Sequence, residues 1–279
     1  MEQTTLSSYI ALDGENLAVQ DWPLRQGNPT RGVVLLVHGL GEHAGRYDRF
    51  ARRLNEWGFA VRGYDQFGHG ESGGMRGGLT SDNRLLDDLS DMLDSTRASM
   101  EKNTPLILFG HSLGGLVAAR LVSLGLRPVQ GLVLSSPALD LGLSEFQKLL
   151  LALLPRVAPD LRIGNGLDPH LISHDPEQVQ AYLSDPLIHN RISGRLARFM
   201  AQAAAATQAY APQWTVPTLL LFAGADGLVN PQGSRRFAAD APKQVVSAHC
   251  FDELFHEIFN EYDPEPVFAS LKTWLDARF

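Results

Sequence analysis

The stretch "LILFGHSLGG", residues 106–115, decides the fold of this chain. Four apolar residues lead into Gly110-His111-Ser112-Leu113-Gly114, and a helical pattern begins directly afterwards. A strand, a G-x-S-x-G motif and a helix in this order are typical of a nucleophile elbow, whose turn is too tight for side chains at the flanking positions. The motif predicts that Ser112 is a nucleophile at the end of a strand. A small-residue turn for helix packing is the alternative, and a phosphate-binding loop is disfavoured because its lysine is missing.

Apolar runs of strand length recur on both sides of this motif. Near-continuous apolar runs suit strands that are buried on both faces of a parallel sheet. Helix-length segments at 46–57, 82–101 and 113–125 separate them, which predicts an α/β fold with a mostly parallel central sheet flanked by helices. Two earlier runs, near 9–12 and 17–22, are expected to form an edge hairpin. The six main runs are "GVVLLVHG", "FAVRGYD", "PLILFG", "GLVLSSP", "PTLLLFAG" and "QVVSAHCF".

The alternation of strand and helix stops between residues 138 and 214. No β-like run is recognisable there, whereas "LSEFQKLLLALLP" has apolar residues at helical spacing behind a Ser144-x-x-Gln147 capping pattern. We therefore expect a helical cap at 138–214, inserted into an α/β-hydrolase core made of residues 1–137 and 215–279. The cap is expected to lie over the carboxyl edge of the strands.

The composition excludes several classes of protein. A chain of 279 residues with 44% hydrophobic content can bury a substantial core. Its net charge of −7, without long basic runs, disfavours a nucleic acid partner. Cys250 is the only cysteine, so neither an intrachain disulfide nor a paired-cysteine zinc site can form, and we expect no metal and no cofactor. The N-terminal "MEQTTLSSYI" has no secretory signal pattern, and no apolar run approaches the ~20 residues of a membrane span, which predicts a cytoplasmic protein.

A serine nucleophile needs a base, and the base needs an acid to orient it. In hydrolases with a nucleophile elbow the chain order is serine, acid, histidine. The stretch "FAGADGLV", residues 222–229, places Asp226 just past a predicted strand and after Ser112. Asp226 is therefore the candidate acid. An ordinary turn aspartate is the alternative, because A-D-G is also a good turn sequence.

Two histidines compete for the role of the base. His249 lies inside the strand-like run "VVSAHCF", whereas His256 follows that run in "DELFHEIFNE". A histidine that must face both a nucleophile and an acid belongs on a loop, which favours His256. The H-E-x-x-H metal motif is excluded because Asn260 stands at its last position. Glu257 and Glu261 are expected to do no more than favour a helix start.

The stretch "VVLLVHGLGEHAGRY", residues 33–47, follows an earlier strand. Acyl transfer needs backbone donors for the developing oxyanion, one after the nucleophile and one from the loop after an earlier strand, which are Leu113 and Leu40. The same stretch fits the dinucleotide pattern G-x-G-x-x-A from Gly39, with Asp65 21 residues beyond its end. That interpretation leaves the serine, acid and histidine without a role, so we disfavour it.

Six segments together carry a resemblance to a known family: "HGLGEHAGRY", "YDQFGHGESGG", "GHSLGG", "SDPL", "GADGLV" and "FHEIFNE". Over about residues 30–278 the chain resembles the α/β-hydrolase serine esterases of the monoacylglycerol lipase and lysophospholipase type. The resemblance implies Ser112 as the nucleophile, Asp226 as the acid and His256 as the base, with the same two oxyanion amides. These are the positions to which the residues themselves point.

The resemblance also implies a substrate and a binding site. It implies that the cap covers an acyl-binding tunnel and that Glu42 and His43 shape the site, with a helix-entry hydrogen-bond network as the alternative. Phe146 and Leu150, in the apolar stripe of the cap, are candidate substrate-binding residues. We expect a serine carboxylic ester hydrolase that forms an acyl-enzyme from monoacylglycerol or a similar single-chain lipid ester.

Several alternatives stay open at this point. A small-ester esterase, an acyltransferase, a peptidase or a weakly catalytic binding protein would use the same fold. Surplus apolar residues of the cap could pack against other cap helices, line the tunnel or rest peripherally on a membrane surface. The sequence gives no indication of the oligomeric state.

Overall fold

A computed structural model of the chain describes residues 4–25, 27, 29–142 and 158–279. Its centre is an eight-stranded sheet with the strand order β1-β2-β4-β3-β5-β6-β9-β10. The strands of this sheet are β1 (Thr5–Ile10), β2 (Asn16–Trp22), β3 (Gly32–Val37), β4 (Phe59–Tyr64), β5 (Leu106–His111), β6 (Gly131–Ser135), β9 (Thr218–Ala223) and β10 (Val246–Phe251).

The sheet is mostly parallel, as the apolar runs predict. All neighbouring pairs from β4 to β10 are parallel, whereas β2 is antiparallel to both β1 and β4. Each of the six predicted main strands is present, and β1 and β2 form the predicted edge hairpin. The first strand of that hairpin begins earlier than its apolar residues suggest, because main-chain pairing with β2 extends back to Thr5.

Helices cover both faces of the sheet. Neighbouring residues of β3 point to opposite sides, so that Leu35 packs into one hydrophobic cluster and Leu36 into the other. This two-sided burial explains why the central strands are apolar throughout. The helices of the core are α1 (Asp48–Glu56), α2 (Arg84–Ser99), α3 (Leu113–Ser123), α6 (Pro231–Asp240) and α7 (Glu265–Asp276).

The segment expected to form the cap contains both helices and strands. Its described helices are α4 (Pro176–Ser184) and α5 (Gly194–Tyr210). The prediction that this segment lacks strands is wrong, because β7 (Arg162–Gly164) and β8 (Arg191–Ser193) form a small antiparallel sheet. Strands of three residues are too short to show the alternation by which a strand is recognised in a sequence. The helix predicted from "LSEFQKLLLALLP" lies outside the described residues.

Main-chain hydrogen bonds join this segment to the core. The amide of His189 donates to the carbonyl of Gly41 at 2.9 Å, and the amide of Ser193 donates to the carbonyl of Gly77 at 2.8 Å. No helix within the described part of the chain is long and apolar enough to cross a bilayer. The Gly41 contact places the segment against the loop that follows β3, and the Gly77 contact places it against the loop that follows β4.

Candidate active site

Ser112 stands between the end of β5 and the start of α3. Its backbone has φ 53° and ψ −118°, a strained conformation for a residue with a side chain. A Cβ atom on Gly110 would lie 2.5 Å from the carbonyl oxygen of Gly114, and one on Gly114 would collide with the carbonyl oxygen of Val37. The two glycines of the motif are therefore required by the close packing of the elbow, as the sequence predicts. The Ser112 amide donates to the Ser135 carbonyl at 3.0 Å and holds the turn against β6.

Asp226 follows β9 and is oriented by its own turn. Its Oδ1 atom accepts hydrogen bonds from the amides of Leu228 and Val229, both at 2.9 Å. Its Oδ2 atom lies 2.6 Å from Nδ1 of His256, which is on the loop between β10 and α7. Asp226 thus makes the turn that its A-D-G context suggests and, at the same time, holds a buried histidine.

The Asp226–His256 pair sets the protonation of both side chains. Burial lowers the pKa of His256, but the charge and hydrogen bond of Asp226, with Glu257 and Glu42 nearby, raise it above its ordinary value. Burial raises the pKa of Asp226, but His256 and two turn amides hold it below its ordinary value. The pair therefore favours an ionised aspartate that stabilises positive charge on the imidazole.

A cavity of about 460 Å³ opens above Ser112 and His256, and both line its wall. This volume is in the range of small-molecule sites, which are mostly apolar with a few placed polar groups. Most of the apolar wall comes from the cap segment. The apolar lining residues are Leu40, Ala138, Leu141, Leu161, Ile163, Leu167, Ile172, Ile192, Ala197, Met200, Leu228 and Val229.

The wall beside Ser112 and His256 carries carboxylates. Glu42 and Glu257 line the cavity, and Arg46 behind them bonds to both carboxylates at distances between 2.6 and 2.8 Å. Burial raises the pKa of Glu42, but the Arg46 charge and other partners hold it at about 2. Within the described residues, no lysine or arginine lines the cavity. The single Arg46 guanidinium thus bonds to two carboxylates.

Glu42 also fixes the loop after β3. Its Oε1 atom accepts from the Gly39 amide at 2.5 Å and from the Tyr47 hydroxyl at 2.7 Å. This is the hydrogen-bond network that sequence reasoning offered as the alternative role, and Glu42 lines the cavity as well. Leu40, the predicted oxyanion donor from this loop, lies on the cavity wall, and Leu113 is fully buried next to Ser112.

The other predicted substrate-binding residues are not part of the described cavity wall. His43 is buried and bonds through Nε2 to Oδ2 of Asp185 at 2.8 Å, which ties the loop to the cap segment. Phe146 and Leu150 lie outside the described residues.

His249, the other candidate for the base, is exposed on the edge strand β10, away from the cavity lining. No group of three or more His, Cys, Asp or Glu side chains in the described ranges is arranged to hold a metal ion.

Sequence reasoning missed the roles of two acidic residues behind His256. Glu257 and Glu261 do not start a helix, since the next helix begins only at Glu265. Both carboxylates are buried, and each accepts hydrogen bonds. The one available signal was that two glutamates stand among apolar and aromatic residues.

His111, inside the elbow motif, was also overlooked. Its ring centre lies 4.7 Å from that of His256, and its Nδ1 atom is 3.1 Å from the Ser135 hydroxyl. Burial, together with the nearby charge of His256, lowers the pKa of His111 to about 4. A neutral imidazole therefore lies beside His256 at the cavity wall.

The fold and this site define a serine hydrolase with the α/β-hydrolase fold, of the carboxylic ester hydrolase type. Residues 28–263 match the family model described as serine aminopeptidase, S33, and the chain belongs to this family. The monoacylglycerol lipase of Mycolicibacterium smegmatis is 30% identical over 96% of this chain and 95% of its own length.

Two further similarities extend over the whole chain. The crystal structure of Paleococcus ferrophilus monoacylglycerol lipase is 33% identical and superposes with a TM-score of 0.83 over 100% of both chains. A longer relative, an uncharacterised abhydrolase domain-containing protein of Dictyostelium discoideum, is 32% identical over 99% of this chain, which spans 29% of the relative's length. These matches confirm the resemblance and the fold predicted from the sequence.

Proposed function

We propose that Ser112, Asp226 and His256 form a catalytic triad that hydrolyses monoacylglycerols or similar single-chain lipid esters through an acyl-enzyme. The observation that carries this proposal is the 2.6 Å contact between His256 Nδ1 and Asp226, at a cavity that Ser112 also lines. The strained backbone of Ser112 supports it, because strain at a cavity wall is typical of nucleophile elbows.

The reaction has two acyl transfers. His256 takes the proton of the Ser112 hydroxyl as Oγ attacks the ester carbonyl, and it returns that proton to the alcohol when the C–O bond breaks. Water then attacks the acyl-enzyme with the same histidine as base, which releases the fatty acid and restores the serine. The amides of Leu40 and Leu113 are the proposed oxyanion donors. Leu113 is the first residue of α3, where an amide has no partner within the helix.

The chemistry of the cavity wall supports an apolar acyl group and an uncharged alcohol. Apolar side chains of the cap segment suit a hydrocarbon chain, since each buried methylene contributes about 0.8 kcal/mol. Glu42 and Glu257 line this wall beside Ser112 and His256, and among the described residues Arg46 is the one cation that forms ion pairs with them. Like charges repel, so this wall favours glycerol over a phosphate-bearing alcohol. The monoacylglycerol lipase activity in the name of the Mycolicibacterium smegmatis relative agrees with this substrate.

We propose the same division of the chain as the sequence suggests, with core segments at 1–137 and 215–279 and a cap at 138–214. Three large apolar side chains in the described part of the cap segment, Leu161, Ile163 and Leu183, are more than half exposed. Two of them, Leu161 and Ile163, also line the cavity, which supports peripheral contact of the cap with a lipid surface. Co-sedimentation with phosphatidylcholine vesicles tests this contact, and a Leu161→Ser, Ile163→Ser double variant should bind less.

The triad is tested by covalent labelling. A fluorophosphonate probe should add once to the wild-type protein, at Ser112, and should abolish glycerol release from 1-monoacylglycerol. The Ser112→Ala variant is the control and should neither be labelled nor release glycerol. Labelling of that variant at another residue, with activity retained, would refute the assignment of the nucleophile.

A further inference from the structure

Glu261 is a buried carboxylate that no step of the proposed reaction uses. Its side chain is 2% exposed, and both of its oxygens accept hydrogen bonds. The Oε1 atom accepts from the Phe255 amide at 2.7 Å and lies 3.0 Å from Nδ1 of His174. The Oε2 atom accepts from the His174 amide at 3.0 Å. One carboxylate thereby joins the loop that carries His256 to a stretch of the cap segment.

Hydrogen bonds hold the backbone on both sides of His256. On the N-terminal side, the Phe255 amide donates to Glu261. On the C-terminal side, the Glu257 amide donates to the carbonyl of Ile172 at 2.8 Å. The backbone on either side of His256 is thus fixed by a hydrogen bond, one from within the loop and one from the cap segment.

Residues 172–174 of the cap segment cover the same loop with side chains. The rings of His174 and Phe255 are stacked, with centres 3.6 Å apart and planes inclined at 24°. The Ser173 hydroxyl donates to the carbonyl of Asn260 at 2.8 Å. Because of these contacts, the position of residues 172–174 and the conformation of the His256 loop depend on each other.

We propose that Glu261 is a positioning residue, which holds the His256 loop so that the imidazole contacts Asp226 and faces Ser112 at once. The proposal rests on the proposed function, since it concerns the geometry of the base. Glu261 touches neither substrate nor the reacting atoms and acts through the Phe255 amide. Through its bonds to His174, Glu261 also holds residues 172–174 of the cap segment against this loop.

Only a carboxylate satisfies all of these donors. An ionised glutamate accepts at both oxygens, whereas glutamine offers one acceptor oxygen and one NH₂ donor. In a Glu261→Gln variant the NH₂ group must therefore face the amide of either Phe255 or His174, and one of these backbone amides loses its acceptor. A misplacement of about 1 Å in a catalytic group is enough to cost on the order of 100-fold in rate.

The test compares Glu261→Gln with Glu253→Gln, a matched change at an exposed residue of the same loop. We expect Glu261→Gln to lower kcat for a soluble monoacylglycerol by about 10- to 100-fold, with a smaller change in KM. Phosphonylation of Ser112 should slow by a similar factor. The acid limb of the pH profile should also move to lower pH, because a looser contact with Asp226 raises the pKa of His256 less. The Glu253→Gln protein should behave as wild type.

A purely structural role would give a different result. The unfolding temperature would fall, while kcat per labelled active site and the acid limb would equal those of wild type, and this outcome would overturn the proposal. If Glu261→Gln does not fold, His174→Ala carries the test, since it removes the imidazole that bonds to Glu261 and stacks on Phe255, while the amides of residues 174 and 255 stay bonded to the carboxylate. That variant should show a smaller loss of kcat in the same direction, and an unchanged kcat would overturn the coupling. A wild-type protein without esterase activity would instead refute the proposed function.

Discussion

The Nδ1 atom of His256 lies 2.6 Å from Oδ2 of Asp226, although the two residues are 30 positions apart in the chain. Asp226 follows β9 and His256 follows β10, and these strands are parallel neighbours, so their carboxyl ends meet at one edge of the sheet. Ser112 follows β5, two strands away from β9 in the same parallel array. The topology of the sheet therefore brings the three side chains to a common edge.

Replacing Asp226 with asparagine should leave the fold intact and nearly abolish turnover. The asparagine oxygen can still accept from the turn amides of Leu228 and Val229, while its NH₂ group faces His256 and selects the wrong imidazole tautomer. We expect kcat to fall on the order of 10⁴-fold. Ester hydrolysis and circular dichroism measure the two effects, and a loss of less than about tenfold in a folded variant would rule out Asp226 as the acid.

The pH dependence of kcat/KM should report the raised pKa of His256. The imidazole acts as a base only when it is neutral, and a raised pKa keeps it protonated to a higher pH. Activity should therefore rise with pH, with its midpoint above the ordinary histidine value of about 6.5. Rates measured between pH 5 and 9 give this midpoint. The residual activity of Asp226→Asn should have a lower midpoint, because the charge that raises the pKa of His256 is gone. A wild-type midpoint below 6.5 would contradict the account.

The two histidines near the C-terminus should differ sharply when each is changed to alanine. His256→Ala removes the proposed base and should reduce kcat at least as much as the change of Asp226. His249→Ala changes an exposed residue on an edge strand and should leave kcat and stability near wild type. Steady-state rates of both variants, with folding checked by circular dichroism, decide the assignment. A larger loss from His249→Ala would reverse it.

His189 should make the protein less stable in acid. Its Nε2 atom bonds to the carbonyl of Gly68, its Nδ1 accepts from the amide of Arg191, and burial lowers its pKa to about 4, with the Arg76 charge contributing. Between pH 6.5 and 4 the unfolded chain binds a proton that the folded chain does not. The free energy of unfolding therefore falls as the pH drops through this window, by up to about 2–3 kcal/mol.

A His189→Asn variant isolates this contribution. Burial raises the pKa of Asp88 to about 6, which opposes the effect over the same window but is shared by both proteins. Urea unfolding at pH 6.5 and pH 4.5 should show a smaller loss of stability in the variant, by about 2 kcal/mol. If both proteins lost the same free energy of unfolding, His189 would have to bind its proton in the folded protein as readily as in the unfolded chain, and the prediction would be wrong.

The fold could be predicted, and Ser112 could be proposed as the nucleophile, because the signals for both are local. The elbow needs glycines within two residues of Ser112, and each central strand is a nearly continuous apolar run because it is buried on both faces. The proximity of Asp226 and His256 could be predicted because a parallel sheet gathers the residues that follow its strands. The assignment of these side chains as a triad stays a prediction until the variants are measured.

The ion pairs and hydrogen bonds that surround the site could not be predicted, because they join distant segments of the chain. Arg46 contacts Glu257 across 211 positions, and Glu261 contacts His174 across 87 positions. No periodicity marks such pairs, and a buried glutamate among aromatic residues resembles a helix start in the sequence alone. The strands β7 and β8 could not be predicted either, because three residues are too few to show the alternation of apolar and polar side chains.

The central claim, hydrolysis of a single-chain lipid ester at Ser112, is tested most directly by kcat/KM for a series of 1-monoacylglycerols of increasing acyl length. If the apolar cavity holds the acyl chain, each methylene should raise kcat/KM by up to about fourfold until the cavity is filled, after which the values level or fall. The Ser112→Ala protein should be inactive throughout the series. A maximum at acetyl or butyryl esters would contradict the account and identify a small-ester esterase instead.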